Sequence, residues 1–189
     1  MSSLATLRAQ LESYRTSDPD ELVHRSEMIT FLDNHPDCLF RTQLLGHFTA
    51  SALVVNVEDE TVLLIHHRKL DKWLQPGGHA DGEADLVQVA MREVWEETGL
   101  KTNELTSGIF DVDIHSIPER GAEPQHLHLD VRFLLTPVPG SKLDINHEVK
   151  AAKWIPLAEA ATLNPERSVT RMVEKAEAIL TQIRAKSRM

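Results

Sequence analysis

The chain has 189 residues, of which 41% are hydrophobic and 26% charged, as is typical of one globular domain with extensions or of two small domains at most. Its formal net charge of −9 opposes nonspecific binding to nucleic acid or to an anionic membrane surface, because both carry negative charge. The single cysteine, Cys38, excludes an intrachain disulfide. No apolar run approaches the roughly 20 residues of a membrane span, and the first residues do not form a secretory signal, so we expect a cytoplasmic protein.

Two helices are predicted within residues 1–45, an N-terminal extension that we assign to packing or to formation of a homodimer. The first is indicated by apolar residues that recur every three or four positions, namely Leu4, Leu7, Leu11 and Tyr14. Asp18 can cap the second helix, Pro19 suits its first position, and Glu21 stands three residues after the cap. The predicted apolar face of this second helix consists of Leu22, Ile29 and Leu32.

The remaining residues, 46–189, form the predicted main domain, in which strand patterns and helix patterns are mixed. A pair of strands, a Gly/Pro loop, a helix, three further strands and a last helix follow one another. Their predicted ranges are 47–57, 61–68, 75–82 for the loop, 85–98 for the helix, 106–115, 125–136, 150–155 and about 165–187. This order predicts an α/β (α+β) fold with a mixed sheet and helices on both sides.

Three glutamates crowd one face of the predicted middle helix. Glu93, Glu96 and Glu97 stand at positions i, i+3 and i+4, so their like charges repel one another. They also lie near the carboxyl end of the helix, where the helix dipole is already negative. A hard divalent cation held by carboxylate oxygens would offset both costs, whereas the alternative is an acidic face exposed to solvent.

The loop before this helix contains Gly77 and Gly78, which allow the backbone to approach a ligand closely. Taken together, residues 78–100 resemble the box motif of the Nudix hydrolase family. The positions in register with that motif are Gly78, Arg92, Glu93, Val94, Glu96, Glu97, Gly99 and Leu100. One position departs from it, because Ala84 stands where the family has its first glutamate, and Glu83 and Asp85 flank it as two candidates to replace that carboxylate.

The resemblance implies a Nudix-type α/β/α sandwich and a hydrolase of diphosphate linkages in nucleoside diphosphate derivatives or related organic pyrophosphates, with Mg²⁺ or Mn²⁺ as cofactor. It implies that Glu96 and Glu97 hold the metal and that the Gly78 carbonyl is a further ligand. Glu93 is then a ligand or the base that deprotonates water, and Arg92 orients it. A later loop often adds a carboxylate in this family, for which Glu148 is our candidate and Glu119 and Glu123 compete.

Substrate contacts are predicted at Arg68, at the end of a strand, and at His79, next to the double glycine. His126 and His128 alternate with Asp130 along a predicted strand, so all three point to one face. That face either lines the substrate cleft, packs through satisfied hydrogen bonds, or holds a transition metal. Two aromatic residues, Trp73 and Phe133, either stack on a base or fill the core, and the core is favoured for Phe133.

Two rival functions accompany the hydrolase. Ala84 favours a Nudix-fold module that binds nucleotides or regulates without efficient hydrolysis. A third hypothesis is an isomerase of isopentenyl diphosphate, whose chemistry uses a cysteine in the core domain; Cys38 precedes that domain and is expected to be a buried apolar residue. The expected partner is a small molecule, not nucleic acid or a membrane, and the identity of the substrate is beyond what these motifs indicate.

Overall fold

The computed structural model describes residues 3–121 and 123–187. Within these ranges there are five α-helices, one 3-10 helix (Leu157–Glu159) and eight strands. The helices are α1 (Leu4–Ser13), α2 (Pro19–Asn34), α3 (Leu86–Thr98), α4 (Ala160–Leu163) and α5 (Arg167–Ser187). The strands are β1 (Gly46–Asn56), β2 (Thr61–His67), β3 (Lys72–Leu74), β4 (Gly77–His79), β5 (Thr102–Glu104), β6 (Asp111–Ile117), β7 (His126–Pro137) and β8 (Val149–Pro156). A mixed sheet with flanking helices is the α/β class that the sequence predicted.

The described residues form two compact units. The first contains the chain up to Ala52, Gly77–Glu93 and Thr106–Phe133, and the second contains Leu53–Pro76, Val94–Leu105 and the chain from Leu134 onward. The elements β1, β7 and α3 each contribute residues to both units.

In the first unit, the beginning of β1 pairs antiparallel with β4, and β6 pairs antiparallel with β7. The β1–β4 register places Ala50 opposite Gly78 and Thr49 opposite His79. The β6–β7 register places Asp113 opposite Asp130 and His115 opposite His128. Because β1 and β7 are neighbours in the sheet, residues of the Gly/Pro loop and of the histidine-rich strand belong to the same unit.

The N-terminal helices belong to this first unit because a buried carboxylate joins them to β6. Glu21 on α2 is fully buried. Its carboxylate accepts hydrogen bonds from the hydroxyls of Tyr14 and Thr16 and from the backbone N–H of Val112. Three donors make the burial of this charge tolerable, whereas an unpaired buried carboxylate is strongly destabilising.

The predicted apolar face of α2 is wrong at Leu22, which is 41% exposed. The residues of α2 that are buried are Glu21, Met28 and Leu32. The reason is the non-local contact just described, because the hydrogen bonds of Glu21 turn this residue inward and its neighbour Leu22 outward. The periodicity of α1 is confirmed at Leu7, Leu11 and Tyr14, all of which are buried.

In the second unit, β2 pairs antiparallel with the end of β1, with β3 and with β8, and β5 pairs with the end of β7. Helix α5 buries one apolar face, made of Val169, Met172, Val173, Ala176 and Leu180, which recur with the period of an amphipathic helix. Strand β6, which belongs to the first unit, begins at Asp111 and not at the predicted residue 106, since residues 105–108 bend and Gly108 has a φ of +82°. None of the helices in the described ranges is both long enough and apolar enough to span a membrane.

Candidate active site on helix α3

Both ends of α3 are defined by local interactions. At its beginning, the backbone N–H of Asp85 donates to Glu83 Oε1 at 2.8 Å, and the N–H of Val89 donates to the Asp85 carbonyl at 3.1 Å. At its end, Gly99 adopts a φ of +71°, and its N–H donates to the Trp95 carbonyl at 2.8 Å. The left-handed residue ends the helix at Thr98, one residue after its third glutamate.

The three glutamates of α3 differ in exposure. The side chain of Glu93 is 18% exposed, Glu97 is 5% exposed as a residue, and Glu96 is exposed. Their spacing on one continuous helix places them along one side of it. Glu97 is therefore the most buried of the three carboxylates, and negative charge near a helix C-terminus is electrostatically unfavourable.

The double glycine is required by close contacts on both sides of β4. A Cβ atom at Gly78 would lie 2.5 Å from the carboxylate carbon of Glu93, and one at Gly77 would lie 2.4 Å from the Cβ of Ser51. Any side chain at position 78 would therefore displace the Glu93 carboxylate. Carboxylate and backbone carbonyl oxygens are the ligands that Mg²⁺ and Mn²⁺ prefer. The backbone of Gly78 and the carboxylate of Glu93 lie close together, so these residues fit the cation that the motif implies.

Arg92 connects Glu93 with β4. Its Nη2 donates to Glu93 Oε1 at 3.2 Å and to the carbonyl oxygen of His79 at 3.4 Å. The guanidinium thus holds the Glu93 carboxylate beside the residues that follow the double glycine, which is the geometry that an orienting role requires.

At the position where the family has its first glutamate, Ala84 is 5% exposed and packs in the core. The neighbouring carboxylate of Glu83 accepts a hydrogen bond at the start of α3. The chain therefore has an apolar contact at position 84 and places its nearest carboxylate at the helix N-terminus, where negative charge is favourable.

The loop that contains Glu148 is fastened to the carboxyl end of α3. The N–H of Asp144 donates to the Thr98 carbonyl at 2.8 Å, and the N–H of Asn146 donates to the Glu97 carbonyl at 3.4 Å. Glu148 itself is exposed, as are its two competitors, Glu119 and Glu123. Of the three, Glu148 is the one whose own loop is bonded to the helix that carries Glu97.

Arg68 supports the same loop from β2. Its Nε donates to the His147 carbonyl at 2.8 Å, and its backbone N–H donates to the Glu148 carbonyl at 2.9 Å. The side chain is exposed, so a substrate contact at this residue stays a prediction.

Trp73 stacks on His66 with ring centroids 5.1 Å apart, and Phe133 is 3% exposed and lies in the core as favoured.

Four histidines form a cluster in the first unit. The ring centroids of His47, His126 and His128 are 4.9–5.2 Å apart, and His79 lies 5.0 Å from both His47 and His128. The alternation of residues along β7 indicates His126 and His128, whereas no local pattern in the sequence indicates His47. Its place beside them follows from the strand order, which the local pattern does not encode.

Burial keeps His47, His79 and His128 of this cluster neutral. Desolvation lowers the pKa of His128 to about 2 and that of His79 to about 4, and it lowers the pKa of His47 as well. These side chains therefore face their surroundings as uncharged imidazoles near neutral pH, which can donate a hydrogen bond or bind a metal but cannot attract a phosphate by charge.

Asp130 is engaged away from the histidines. Its carboxylate accepts hydrogen bonds from Thr49 Oγ1 at 3.0 Å, Ser51 Oγ at 2.8 Å and Arg132 Nε at 2.8 Å. The grouping that could hold a metal within the described residues is His47, His126 and His128, so the trio with Asp130 considered from the sequence is replaced by one with His47.

The buried thiol of Cys38 yields a prediction about its reactivity. Cys38 is fully buried, and desolvation raises its pKa from 9.0 to about 11. At pH 8 the thiolate fraction in the folded protein is then about 100-fold lower than in the unfolded chain. For the same reason, the free energy of unfolding decreases as the pH rises from 9 towards 11. We expect alkylation by iodoacetamide at pH 8 to be at least about 100-fold slower in buffer than in urea. Equal rates would show that the thiol is accessible and reactive.

Comparison with known proteins identifies the class. The family model described as the NUDIX domain matches residues 47–174, so the chain belongs to the NUDIX family. A protein of Lactococcus lactis subsp. cremoris described as a probable DHNTP pyrophosphohydrolase is 34% identical over 89 residues, which is 46% of this chain and 52% of that protein. The chain thus matches about half the length of this relative.

Solved structures confirm the Nudix-type sandwich. An Ap4A hydrolase of C. elegans superposes with a TM-score of 0.54 and 17% identity, covering 71% of this chain and 98% of that one. The dihydroneopterin triphosphate pyrophosphohydrolase of E. coli superposes with a TM-score of 0.50 and 18% identity, covering 68% and 92%. At these identities the likeness concerns the fold.

Proposed function

We propose that this protein hydrolyses a phosphoanhydride bond in a nucleoside diphosphate derivative or a related organic pyrophosphate, with Mg²⁺ or Mn²⁺ as cofactor. The observation that carries the proposal is the contact between Gly78 and Glu93, where the backbone comes so close to a carboxylate that a side chain at position 78 would displace it. The glutamates at positions 93, 96 and 97 of the same helix supply the remaining acidic oxygens. Membership of the NUDIX family supports the same reaction class.

In this proposal each residue of the motif has one task. When bound, a divalent cation neutralises the charge that develops on the phosphoryl oxygens and makes a coordinated water more acidic. Glu96, Glu97 and the Gly78 carbonyl would hold it. Glu93 would be a further ligand or would accept the proton of the attacking water, and Arg92 keeps the Glu93 carboxylate in place through their 3.2 Å hydrogen bond.

Residues outside the motif would complete the site. Glu148 is the proposed additional acidic ligand, because its loop is bonded to the end of α3. Arg68 lies beside this loop and is the proposed phosphate contact. His79 follows Gly78 directly and is the proposed donor of a hydrogen bond to the substrate, and His126 and His128 are further candidates for substrate contact. The predicted division into an extension, residues 1–45, and a catalytic domain, residues 46–189, also belongs to this proposal, as do the cytoplasmic location and the homodimer.

The substrate class is tested with a panel of compounds. It contains ADP-ribose, dinucleotide polyphosphates, nucleoside triphosphates, CoA, NADH and dihydroneopterin triphosphate, the compound for which the E. coli structural relative is named. Each is incubated with the full chain and Mg²⁺ or Mn²⁺, and phosphate products are separated by ion-exchange chromatography. We expect hydrolysis of one or a few of these compounds, with ¹⁸O from labelled water appearing on phosphorus.

Removal of the cation provides the matched control. Excess EDTA should abolish turnover, and added Mg²⁺ should restore it. Full activity in excess chelator would contradict the cation mechanism. Tight binding of a nucleotide without any turnover would favour the regulatory module, for which Ala84 is the supporting residue. The isomerase would need a reactive cysteine, and the buried thiol of Cys38 does not support one.

A further inference from the structure

We propose that His47, His126 and His128 form a second metal site, separate from the glutamates of α3, that binds one Zn²⁺ or a similar borderline transition-metal ion. One ring nitrogen from each histidine lies within 4.8 Å of the corresponding nitrogens of the other two. Imidazole nitrogen is a preferred ligand of Zn²⁺, Co²⁺ and Cu²⁺, whereas Mg²⁺ prefers oxygen. The two sites therefore differ in ligand chemistry and select different ions.

The spacing of the nitrogens suits tetrahedral coordination. The Nε2 atoms of His126 and His128 are 3.3 Å apart. Two ligands at Zn–N distances of about 2.0–2.1 Å and a tetrahedral angle are separated by about 3.3–3.4 Å. This pair is thus already at the separation of two zinc ligands, and a ring nitrogen of His47 lies within 4.8 Å of the ligand nitrogens of both.

Hydrogen bonds to backbone carbonyls determine which nitrogens are available. His126 Nδ1 lies 2.9 Å from the Pro124 carbonyl, and His47 Nδ1 lies 3.4 Å from the Gln43 carbonyl. A carbonyl only accepts, so both Nδ1 atoms carry the proton and both Nε2 atoms keep a lone pair. Metal-binding histidines in proteins typically have this outer hydrogen bond, which orients the ring and makes the ligand nitrogen more basic.

The lone pair on His47 Nε2 supports the metal site independently of the spacing of the three histidines. His47 is 1% exposed, and its Nε2 is a buried polar atom without a hydrogen-bond partner. A buried acceptor without a partner is destabilising in a folded protein, and a metal ion at this point would satisfy it. His126 and His128 lie on the same side of β7 and close the group around it.

The fourth coordination position has an acidic neighbour. Glu123 Oε1 lies 3.8 Å from His126 Nε2, and its side chain is 57% exposed. Three neutral imidazoles leave the charge of a divalent ion uncompensated, and this carboxylate can balance half of it. We therefore assign the fourth position to Glu123 or to water.

The test uses the full chain without a polyhistidine tag, freed of metal by a chelator and then dialysed into excess Mg²⁺. Mg²⁺ occupies the carboxylates of α3 but does not compete for imidazole. In this buffer, titration calorimetry with Zn²⁺ should show one Zn²⁺ bound per chain. The X-ray absorption spectrum at the zinc edge should show three imidazole nitrogens at about 2.0–2.1 Å from the ion. Co²⁺ should give the strong visible absorption of a tetrahedral site. A spectrum with oxygen ligands only would overturn the proposal.

Variants separate the two metal sites. His128→Gln and His47→Gln should weaken Zn²⁺ binding by more than about 100-fold, since changes outside the ligand shell already cost about 10–100-fold. His66→Gln, which alters a histidine on β2 that stacks on Trp73, should bind Zn²⁺ as the unaltered chain does. Glu97→Gln should also retain Zn²⁺ binding.

Circular dichroism shows which variants are folded. The zinc and Co²⁺ spectra are measured on the unaltered chain, so they test the site even if a variant does not fold. Absence of Zn²⁺ binding in Mg²⁺ buffer would overturn the site. Loss of binding in Glu97→Gln with retention in His128→Gln would also overturn it, because the ion would then belong to the carboxylates of α3. Neither result bears on hydrolysis with Mg²⁺, so this inference and the proposed function fail separately.

Discussion

Glu97→Gln should reduce the rate of phosphoanhydride hydrolysis by more than about 100-fold, a larger loss than changes that only support metal ligands produce. Glutamine has the shape of glutamate but no charge, so the change removes a metal ligand without leaving a cavity. Because Glu97 is 5% exposed, solvent cannot replace its contribution. The measurement is kcat and KM on the best substrate of the panel, over a series of Mg²⁺ concentrations.

The matched control is Glu177→Gln, the same chemical change at an exposed position of α5. It should leave kcat and KM unchanged, and both variants should have the circular dichroism spectrum of the unaltered chain. Turnover that survives in Glu97→Gln would contradict the assignment of this residue to the metal.

Glu93→Gln distinguishes the two roles left open for Glu93. If Glu93 is the base, kcat should fall while the dependence on Mg²⁺ concentration stays the same. If Glu93 is a ligand, higher Mg²⁺ concentrations should recover part of the activity. The amide oxygen of glutamine can still accept a hydrogen bond from Arg92 Nη2, and weakening of this bond by loss of the charge is common to both outcomes.

Arg132→Met should lower the free energy of unfolding by about 3–5 kcal/mol, the range for removing one partner from a buried ion pair. Arg132 is 3% exposed and contacts the carboxylates of Asp111, Asp113 and Asp130 at 3.3, 3.1 and 2.8 Å. Methionine fills much of the volume but leaves three buried carboxylates without this cation. Urea unfolding at pH 7 measures the difference.

The control for Arg132 is Arg41→Met, which breaks an arginine–carboxylate pair at the surface. Arg41 pairs with Asp81, and their side chains are 56% and 47% exposed. Water solvates the remaining aspartate, so the loss should be below about 1 kcal/mol. Arg132→Lys keeps the charge but not the planar guanidinium, and it should fall between the two. A loss below about 1 kcal/mol in Arg132→Met would show that the three carboxylates do not depend on the guanidinium.

Local patterns were sufficient for the helix of the motif. The repeat of 3.6 residues placed Glu93, Glu96 and Glu97 on one side of α3, and Gly99 marked its end, because these features depend on residues within one or two turns. The α/β class was predicted from the order of such local patterns along the chain. The short strands β3, β4 and β5 escaped prediction, since three residues carry too little periodicity.

Only the tertiary structure decided which distant residues meet. His47 meets His126 and His128 because β1 and β7 are neighbours in the sheet, although they are far apart in the chain. Glu21 of α2 meets β6, and Arg132 meets three aspartates of the paired strands β6 and β7, so these contacts also join separate elements. The energies involved come from burial and from compensated charge, and these arise only when the strands are assembled. The amino-acid sequence by itself thus determined the class of the protein and the acidic helix, whereas the folded chain determined the histidine cluster.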